Sequence, residues 1–595
     1  MKKTFLELRK INGGTQARIV PEEEGNAYYE VDLSEEPPHP EVTELYIGER
    51  VKKLTVKNAT FPNVRKVISR SGAYRFSSCG FLVNHKGVLE HTFFRGPEEI
   101  LDMEDIFWIG NYAMEGCESK HFLHETWICG AEDHAFDGSA LLKTPDYIEG
   151  VCSLGAAAVA LDADADNVVL KHTIRTISET DRKKTYRKLT LVGDMYGYDQ
   201  MVKYDIAGMD TETLCFQDCT LEKFLNIPES CLNRFREHAK KFDACGETDM
   251  FAEDGILYAK RATKEGRMET CLVCCPKTKA GTVLVPEGVE AIWPGAFAYC
   301  GKLTKVHLPD SLGRLDYNFC GCSSLEEVVF GSGIKEIGNN CFTNCGFKQL
   351  QFPDNIQEIG ANSFTGNKKL ESVTLHKHMK WIGNGTCSGC QSIKKLCIGS
   401  SMLQIGTQDT DWDWDRFSNV TELQLPPKPL PKETIRTLLE LTAQKEYAKV
   451  QNGTYLTLTI PGQKHPMFLP KSISGKNIGE IALKIQNWYQ HPGNPGVYHQ
   501  YAQHMSHRLD TAYASFCELR DAETGKYLKA HDFVLFRRKV ETGEEKDVIG
   551  LIRLGLLSER NLKPALSELQ EKGMTVATAY LLQQFQRHGS HPLIL

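Results

Sequence analysis

From residue 289 onward the apolar positions keep a fixed beat. An apolar pair three residues apart recurs as Val289/Ile292, Leu312/Leu315, Ile334/Ile337, Ile356/Ile359, Met379/Ile382 and Met402/Ile405, the second members lying 23, 22, 22, 23 and 23 residues apart. Each pair is followed by an L-x-x-V-x-L set: Leu303/Val306/Leu308, Leu325/Val328/Phe330, Phe347/Leu350/Phe352, Leu370/Val373/Leu375, Ile393/Leu396/Ile398 and Val420/Leu423/Leu425. Residues two apart share one face of a strand, so the last two members of each set predict a short strand packed inward. Pro309, Pro353 and Pro426 follow some of these strands, as suits a residue with no N–H for a ladder. A unit this short buries its apolar face only against its neighbours, so the period predicts a solenoid.

Two further columns run through the units. Phe297, Phe342 and Phe364 stand five positions after the apolar pair, and Cys300 and Cys345 eight positions after it. L-x-x-L-x-L with an Asn/Cys column is the leucine-rich repeat pattern. More narrowly, "VPEGVEAIWPGAFAYCGKLTKVHLPDSL" resembles the unit of the BspA-like leucine-rich repeat family, and "FAEDGILYAKRATKEGRMETCLVCCPKTKAGTVLVPEGV" before it is similar to that family's opening module. Upstream, "DIFWIGNYAMEGCESKHFL" sets Ile106/Ile109, Met114, Cys117 and Leu123 at the same offsets, and "GFLVNHKGVLEHTFF" reads as a second opening module. The resemblance covers about residues 250–425, and more loosely about 42–145. It implies an α/β-type repeat solenoid with a parallel sheet on a concave face, in a family of bacterial surface or secreted adhesins for host matrix proteins.

The organisation expected is an N-terminal cap over 1–41, a divergent repeat array over 42–179, a connecting region of strands and a helix over 180–250, the BspA-like array over 251–427, and a C-terminal α+β domain over 428–595. That last segment opens on the proline-bearing spacer "LPPKPLPKETI", predicts a strand at "TYLTLTI" and an amphipathic helix at "IGEIALKIQNWYQ", and ends in a helical hairpin, "NLKPALSELQEKG" and "TVATAYLLQQFQ", with Gly573 as the stop between the two helices.

Composition adds two facts. The chain is 41% hydrophobic and 25% charged, an ordinary globular balance. Its net charge of −7 divides unevenly: residues 428–595 carry 22 Lys+Arg against 16 Asp+Glu, so an acidic body precedes a mildly basic tail. The start, "MKKTFLELRKINGGTQARIV", lacks the apolar core of a secretory signal, and no stretch approaches the roughly 18 apolar residues of a membrane span. The expectation is a cytoplasmic protein with its twenty cysteines reduced, and a surface adhesin exported by a non-classical route is the alternative.

The repeat accounts for part of the candidate chemistry. Cys387-Ser-Gly-Cys390 has redox or zinc spacing, yet Cys387 continues the Phe column and Cys390 the Cys column, so both have a structural explanation. Cys300, Cys322 and Cys345 in consecutive units stand about one strand spacing apart, which admits either a disulfide or a ladder of buried thiols. "LDADADN" opens like a calcium loop but lacks the glycine and glutamate such a loop needs. "DTDWDWD" overlaps a four-residue insertion and reads as a cap over the array or as a recognition loop carrying Trp412 and Trp414. His499, His504 and His507 are the remaining metal or anion candidates, with His504 and His507 on one helix face beside Tyr501 and Arg508, while Arg537, Arg538 and Lys539 in "FRRKVETGEEK" read as a solvated hairpin.

No nucleophile–base motif or nucleotide-binding loop occurs, so no catalytic residue, metal or cofactor is assigned. The function expected is therefore protein recognition by the outward strand positions Lys305, His307, Glu327, Gln349, Gln351, Ser372, Thr374 and Lys395, whose mixed charge suits a protein or polar ligand better than nucleic acid. The alternative is a sensor or targeting array attached to a basic C-terminal effector, either nucleic-acid binding or enzymatic.

Overall fold

Each period closes as one turn of a coil because its two apolar sets form two short parallel strands that face one another. A computed structural model describes residues 6–20, 28–75, 79–193, 205–406, 417–443, 453–491 and 493–587. It divides into two units, Met1–Lys279 and Ala280–Leu595.

In the second unit the apolar pairs build a five-stranded parallel sheet from Arg314–Leu315, Glu336–Ile337, Glu358–Ile359, Trp381–Ile382 and Gln404–Ile405. Leu315, Ile337, Ile359, Ile382 and Ile405 stand in one register. The L-x-x-V-x-L sets form the opposing strands, again in register: Leu350 with Val373, Leu396 and Leu423. The connections within this array are turns, and the helices gather beyond Pro431.

The aromatic column explains the spacing. Phe297, Phe319, Phe342 and Phe364 stack with centroids 4.9, 5.2 and 5.3 Å apart and interplanar angles of 9°, 9° and 13°. These separations match the strand spacing of about 4.8 Å, so one ring per turn fills the interior without a void. Phe319 stands one position early in its unit, which accounts for a 22-residue step. Cys387 takes the place of the next ring and is 2% exposed.

Two polar columns satisfy the buried turn. Phe297, Phe319, Phe342 and Phe364 each point a carbonyl at the following unit, where Cys322 Sγ (3.0 Å), Cys345 Sγ (3.2 Å), Asn367 Nδ2 (2.9 Å) and Cys390 Sγ (3.1 Å) donate to it. The second column was not legible beforehand. Asn318 Nδ2 donates to Ile292 O and Trp293 O, Ser363 Oγ to Gly338 O, and Thr386 Oγ1 to Gly360 O, at 3.1, 3.0, 2.7 and 3.2 Å. All twenty cysteines are free thiols. Burial drives the thiols of Cys341 and Cys345 well above their ordinary pKa, the opposite of a reactive thiolate.

The turns also require left-handed backbone at two places per unit. Gly295, Tyr317, Asn340, Asn362 and Gly385 occupy the first, and Tyr299, Gly321, Asn344, Gly366 and Gly389 the second. Glycine and asparagine adopt this conformation at little cost, whereas a tyrosine there is uncommon.

In the first unit the same turn appears at Tyr112 and Gly116, both left-handed. Ile109 pairs in parallel with Leu89 and Ala131, and Met114 takes the ring position. The quoted module around it departs at one residue: Phe122 turns toward the core, so Leu123, expected inside, is 50% exposed. Parallel pairing already begins at Gly14–Ile19, which aligns with Val42–Ile47 and then Lys66–Ser69. Both quoted opening modules are antiparallel meanders: Tyr74–Arg75, Leu82–Asn84 and Val88–His91, and later Met250–Glu253, Ile256–Ala262 and Met268–Cys274. Between them, Val168–Lys171, Thr185–Val192, Asp210–Gln217 and Ala239–Cys245 form a parallel sheet in sequence order. Phe216 on that sheet packs edge-on against Phe224 and Phe235 of the helices Leu221–Leu225 and Glu229–His238.

Beyond the array, Tyr455–Thr459 adds to the outward sheet in parallel beside Glu422–Gln424, and Met467–Pro470 closes it antiparallel. The predicted amphipathic helix is Gly475–Gln490 and buries Ile478, Ile481, Ala482, Ile485 and Trp488. The helix Met505–Leu519 packs on the last strand. The terminal hairpin is Glu559–Glu571 and Thr575–Arg587, with Gly573 left-handed at the stop.

The ring stack and the carbonyl column predict separable losses. Phe342→Ala should cost about 3–5 kcal/mol by opening a cavity in the stack, and Asn367→Ala about 1–3 kcal/mol by orphaning Phe342 O. Asn367→Cys should recover much of the latter, because a thiol serves that column in neighbouring units; urea unfolding of the three variants checks the order.

Candidate binding face

The outward residues fall into two rows because a strand alternates its faces. On the six-stranded sheet one row runs Gln349, Ser372, Lys395, Glu422, Thr457 and the other Gln351, Thr374, Cys397, Gln424, Thr459. On the three-stranded sheet the rows are Thr282, Lys305, Glu327 and Leu284, His307, Val329. All eight outward residues named from the sequence thus lie on one of these two sheets, none of them buried. Sequence reading missed their row partners Thr282, Leu284, Val329, Cys397, Glu422, Gln424, Thr457 and Thr459, although the alternation that marked Val306 and Leu308 as inward marks the residues between them as outward.

The charges on this face are mutually paired. Lys305 Nζ lies 2.8 Å from Glu327 and Lys395 Nζ 3.8 Å from Glu422. What remains is hydroxyl and amide with the His307 imidazole and the Cys397 thiol, together with an apolar edge at Val329 and at Leu284, which is 67% exposed. The inward residues Leu350, Val373, Leu396, Leu423 and Leu458 are buried behind them, so the side chains that face solvent stand on a fixed floor.

The other candidates resolve structurally. Cys387 and Cys390 are both buried. Asp162 and Asp164 lie in a turn, and Asp166 pairs with Arg187 at 2.9 Å. Trp412 and Trp414 lie outside the described residues. The basic run is a correction: it forms the helix Asp532–Glu541, not a hairpin, because Leu535, Phe536 and Val540 give it a helical apolar face. Arg537 pairs with Glu568 at 3.0 Å, Arg538 with Asp510 at 2.6 Å, and Lys539 with Asp510 and Asp547 at 3.5 and 3.6 Å.

The histidines divide as well. Tyr501 sits in the short 3-10 turn His499–Tyr501, and His504 precedes the helix Met505–Leu519 that holds His507. His507 is buried and its Nδ1 accepts the Ser472 N–H at 3.1 Å, which leaves that nitrogen no lone pair for a metal. Among the described residues no group of three or more His, Cys, Asp or Glu side chains is placed to hold a metal ion. In the first unit, a cavity of about 570 Å³ is lined by residues including Trp108, Asp133, Arg175, Arg182 and Asp205, and Arg182 there is held by Asp133 and Asp205 at 2.7 and 2.9 Å. No described helix is long and apolar enough to cross a membrane.

Residues 285–409 match the BspA type leucine rich repeat region in six copies. This stretch is a BspA-type leucine-rich repeat region. Among solved structures, the chain is similar to a leucine rich cell surface protein from Faecalibacterium prausnitzii A2-165, at 14% identity over 70% of this chain and 96% of that one, with a TM-score of 0.24. It is similar to the pneumococcal vaccine antigen PcpA, at 17% identity over 71% and 93%, TM-score 0.27, and to the T. pallidum leucine rich repeat protein, at 20% identity over 32% and 97%, TM-score 0.23. No curated protein matches the chain. The BspA-type array supplies three of the strands in the six-stranded face and two of those in the three-stranded one, and residues on either side complete both sheets.

Beyond the array, burial pushes His507 down to about 4, with His504 and Arg538 adding repulsion. Its ordinary value is near 6.5, so the unfolded chain takes up a proton there between pH 6.5 and 4 that the folded chain refuses. Stability contributed by neutral His507 is therefore present above pH 6.5 and declines as pH falls toward 4. A histidine-resolved NMR titration should find His507 neutral at pH 5.5.

Proposed function

We propose that the chain is a non-catalytic protein-recognition scaffold whose contact surface is the outward strand face of the second unit. The observation that carries this reading is the pair of in-register rows from Gln349 to Thr459, where uncharged hydroxyl and amide groups stand on a buried apolar floor and the one Lys–Glu pair is internally neutral. Such a face offers hydrogen bonds without a field of either sign, which suits a polypeptide surface better than a phosphate backbone. Loops and strand faces held by a rigid scaffold also lose little entropy on binding.

The reading with a nucleic-acid-binding C-terminal effector is the weaker one. Its strongest motif, Arg537-Arg538-Lys539, is engaged with Glu568, Asp510 and Asp547. The basic balance of the segment is spread over helices whose cations partly serve such pairs.

Charge reversal tests the main proposal. Lys305→Glu and Lys395→Glu would each set two carboxylates side by side, with Glu327 and Glu422, and make a neutral face acidic. The double variant should keep its circular dichroism and lose its bound partner in a quantitative pull-down by at least tenfold; an unchanged partner profile overturns the assignment to this face.

A further inference from the structure

The outward ladder is broken at one step. Glu327–Val329 is the last strand of the three-stranded sheet and Gln349–Gln351 the first of the six-stranded sheet. At neighbouring steps the backbone bonds repeat: Glu326 N–H donates to Thr304 O (3.0 Å) and Glu371 N–H to Lys348 O (2.8 Å), but none runs from Lys348 to Glu326 O. Likewise Val285 donates to His307 O (3.0 Å) and Leu308 to Val329 O (2.9 Å), and the next member, Phe330 to Gln351 O, is missing. The two turns still meet below the break, where Gly346 N–H donates to Leu325 O at 3.0 Å.

Side-chain bulk accounts for the splaying. Phe330, Phe347 and Phe352 occupy positions that other units fill with Leu308, Leu370 and Leu375. Their rings pack edge-on against the aromatic stack, Phe330 on Phe342 at 6.1 Å, Phe347 on Phe342 at 5.6 Å and Phe352 on Phe364 at 5.7 Å. Extra volume in a tight core moves backbone. Between the strands an opening of about 320 Å³ results, with phenylalanines on its floor and Glu326, Glu327, Gln349 and Gln351 on its rim.

Two strand edges that face one another across a gap present backbone N–H and C=O groups in strand geometry, and the chemistry complementary to such edges is another extended backbone. The aromatic floor asks in addition for one apolar side chain. Rim charge adds no preference for a charged segment, because Glu327 is held by Lys305 and Glu326 by Lys348, at 2.8 and 3.3 Å. We propose that this break is a docking slot for an extended, uncharged peptide segment of a partner protein, which pairs its backbone with the facing strand edges and seats one aromatic side chain over Phe330 and Phe352. The proposal rests on the strand face being the recognition surface and names what that surface takes at its centre.

The probe is the peptide acetyl-Thr-Thr-Val-Phe-Val-Thr-Thr-amide, titrated into the full chain with binding read by calorimetry and by backbone hydrogen exchange. Binding should slow exchange at residues 326–331 and 348–353. Replacing the peptide's Phe by Ala, or N-methylating both of its valines, should each weaken binding at least tenfold. Phe330→Leu with Phe352→Leu in the chain restores the residues of the sister units and should close the slot, with at least tenfold loss; Gln351→Arg, on the exposed rim, tests the same site without touching the core. Equal binding by the N-methylated peptide overturns the backbone pairing. Protection confined to the rows of Leu284 and Thr374, or no peptide binding while Lys305→Glu/Lys395→Glu still abolishes partner capture, overturns the slot and leaves the recognition face standing.

Discussion

The array depends on disposing of one carbonyl per turn. At each corner the Phe-column residue turns its C=O into the interior, where an unpaired backbone acceptor would cost on the order of a net hydrogen bond or more. A short donor one unit later meets it, a thiol from Cys322, Cys345 and Cys390 or an amide from Asn367. The donor must be small, buried and able to reach back one strand spacing, and Cys and Asn meet all three conditions. That requirement fixes the corner, the corner fixes the distance between turns, and the distance lets the rings of Phe297, Phe319, Phe342 and Phe364 stack face to face.

Three of the cysteines follow from the same constraint. A buried thiol with a raised pKa serves as a compact hydrophobe that also donates one weak hydrogen bond, so Cys341 and Cys345 are suited to a packed corner and unsuited to redox work. Cys387-Ser-Gly-Cys390 shows how a motif changes meaning in register: Cys387 stands where a ring would be, and Cys390 donates to Phe364 O.

The period, the inward strand of each turn, the Phe and Cys columns and the terminal helices were legible because each repeats or keeps a helical spacing; the second strand of each turn, formed by the apolar pair, was not. The outward rows were half legible. Lys305, Gln349 and Glu422 follow from alternation alone, but Thr457 and Thr459 join them only because the strand Tyr455–Thr459, beyond a proline-bearing spacer, returns to the same sheet. No local pattern announces that return. Leu123 and the helix Asp532–Glu541 were misread for local reasons: Phe122, one residue earlier, takes the core position in one case, and in the other Leu535, Phe536 and Val540 give the basic run a helical apolar face. The column of Asn318, Ser363 and Thr386 escaped notice because its members share only a small polar side chain, not a residue type.

Interior and surface are coupled in this architecture, and that is where a uniform repeat acquires a particular site. A solenoid of identical units presents the same edge-paired sheet at every step and leaves no strand edge open within it. Substituting phenylalanine for leucine at three inward positions of two adjacent units alters nothing that faces solvent directly, yet the added volume separates Glu327–Val329 from Gln349–Gln351 and opens an aromatic-floored gap in an otherwise continuous ladder. The backbone bond from Gly346 N–H to Leu325 O holds the corner closed while the strands part above it. Core composition, rather than surface composition alone, therefore decides where along the array the backbone is accessible, and a largely polar, charge-paired face gains one position unlike the rest.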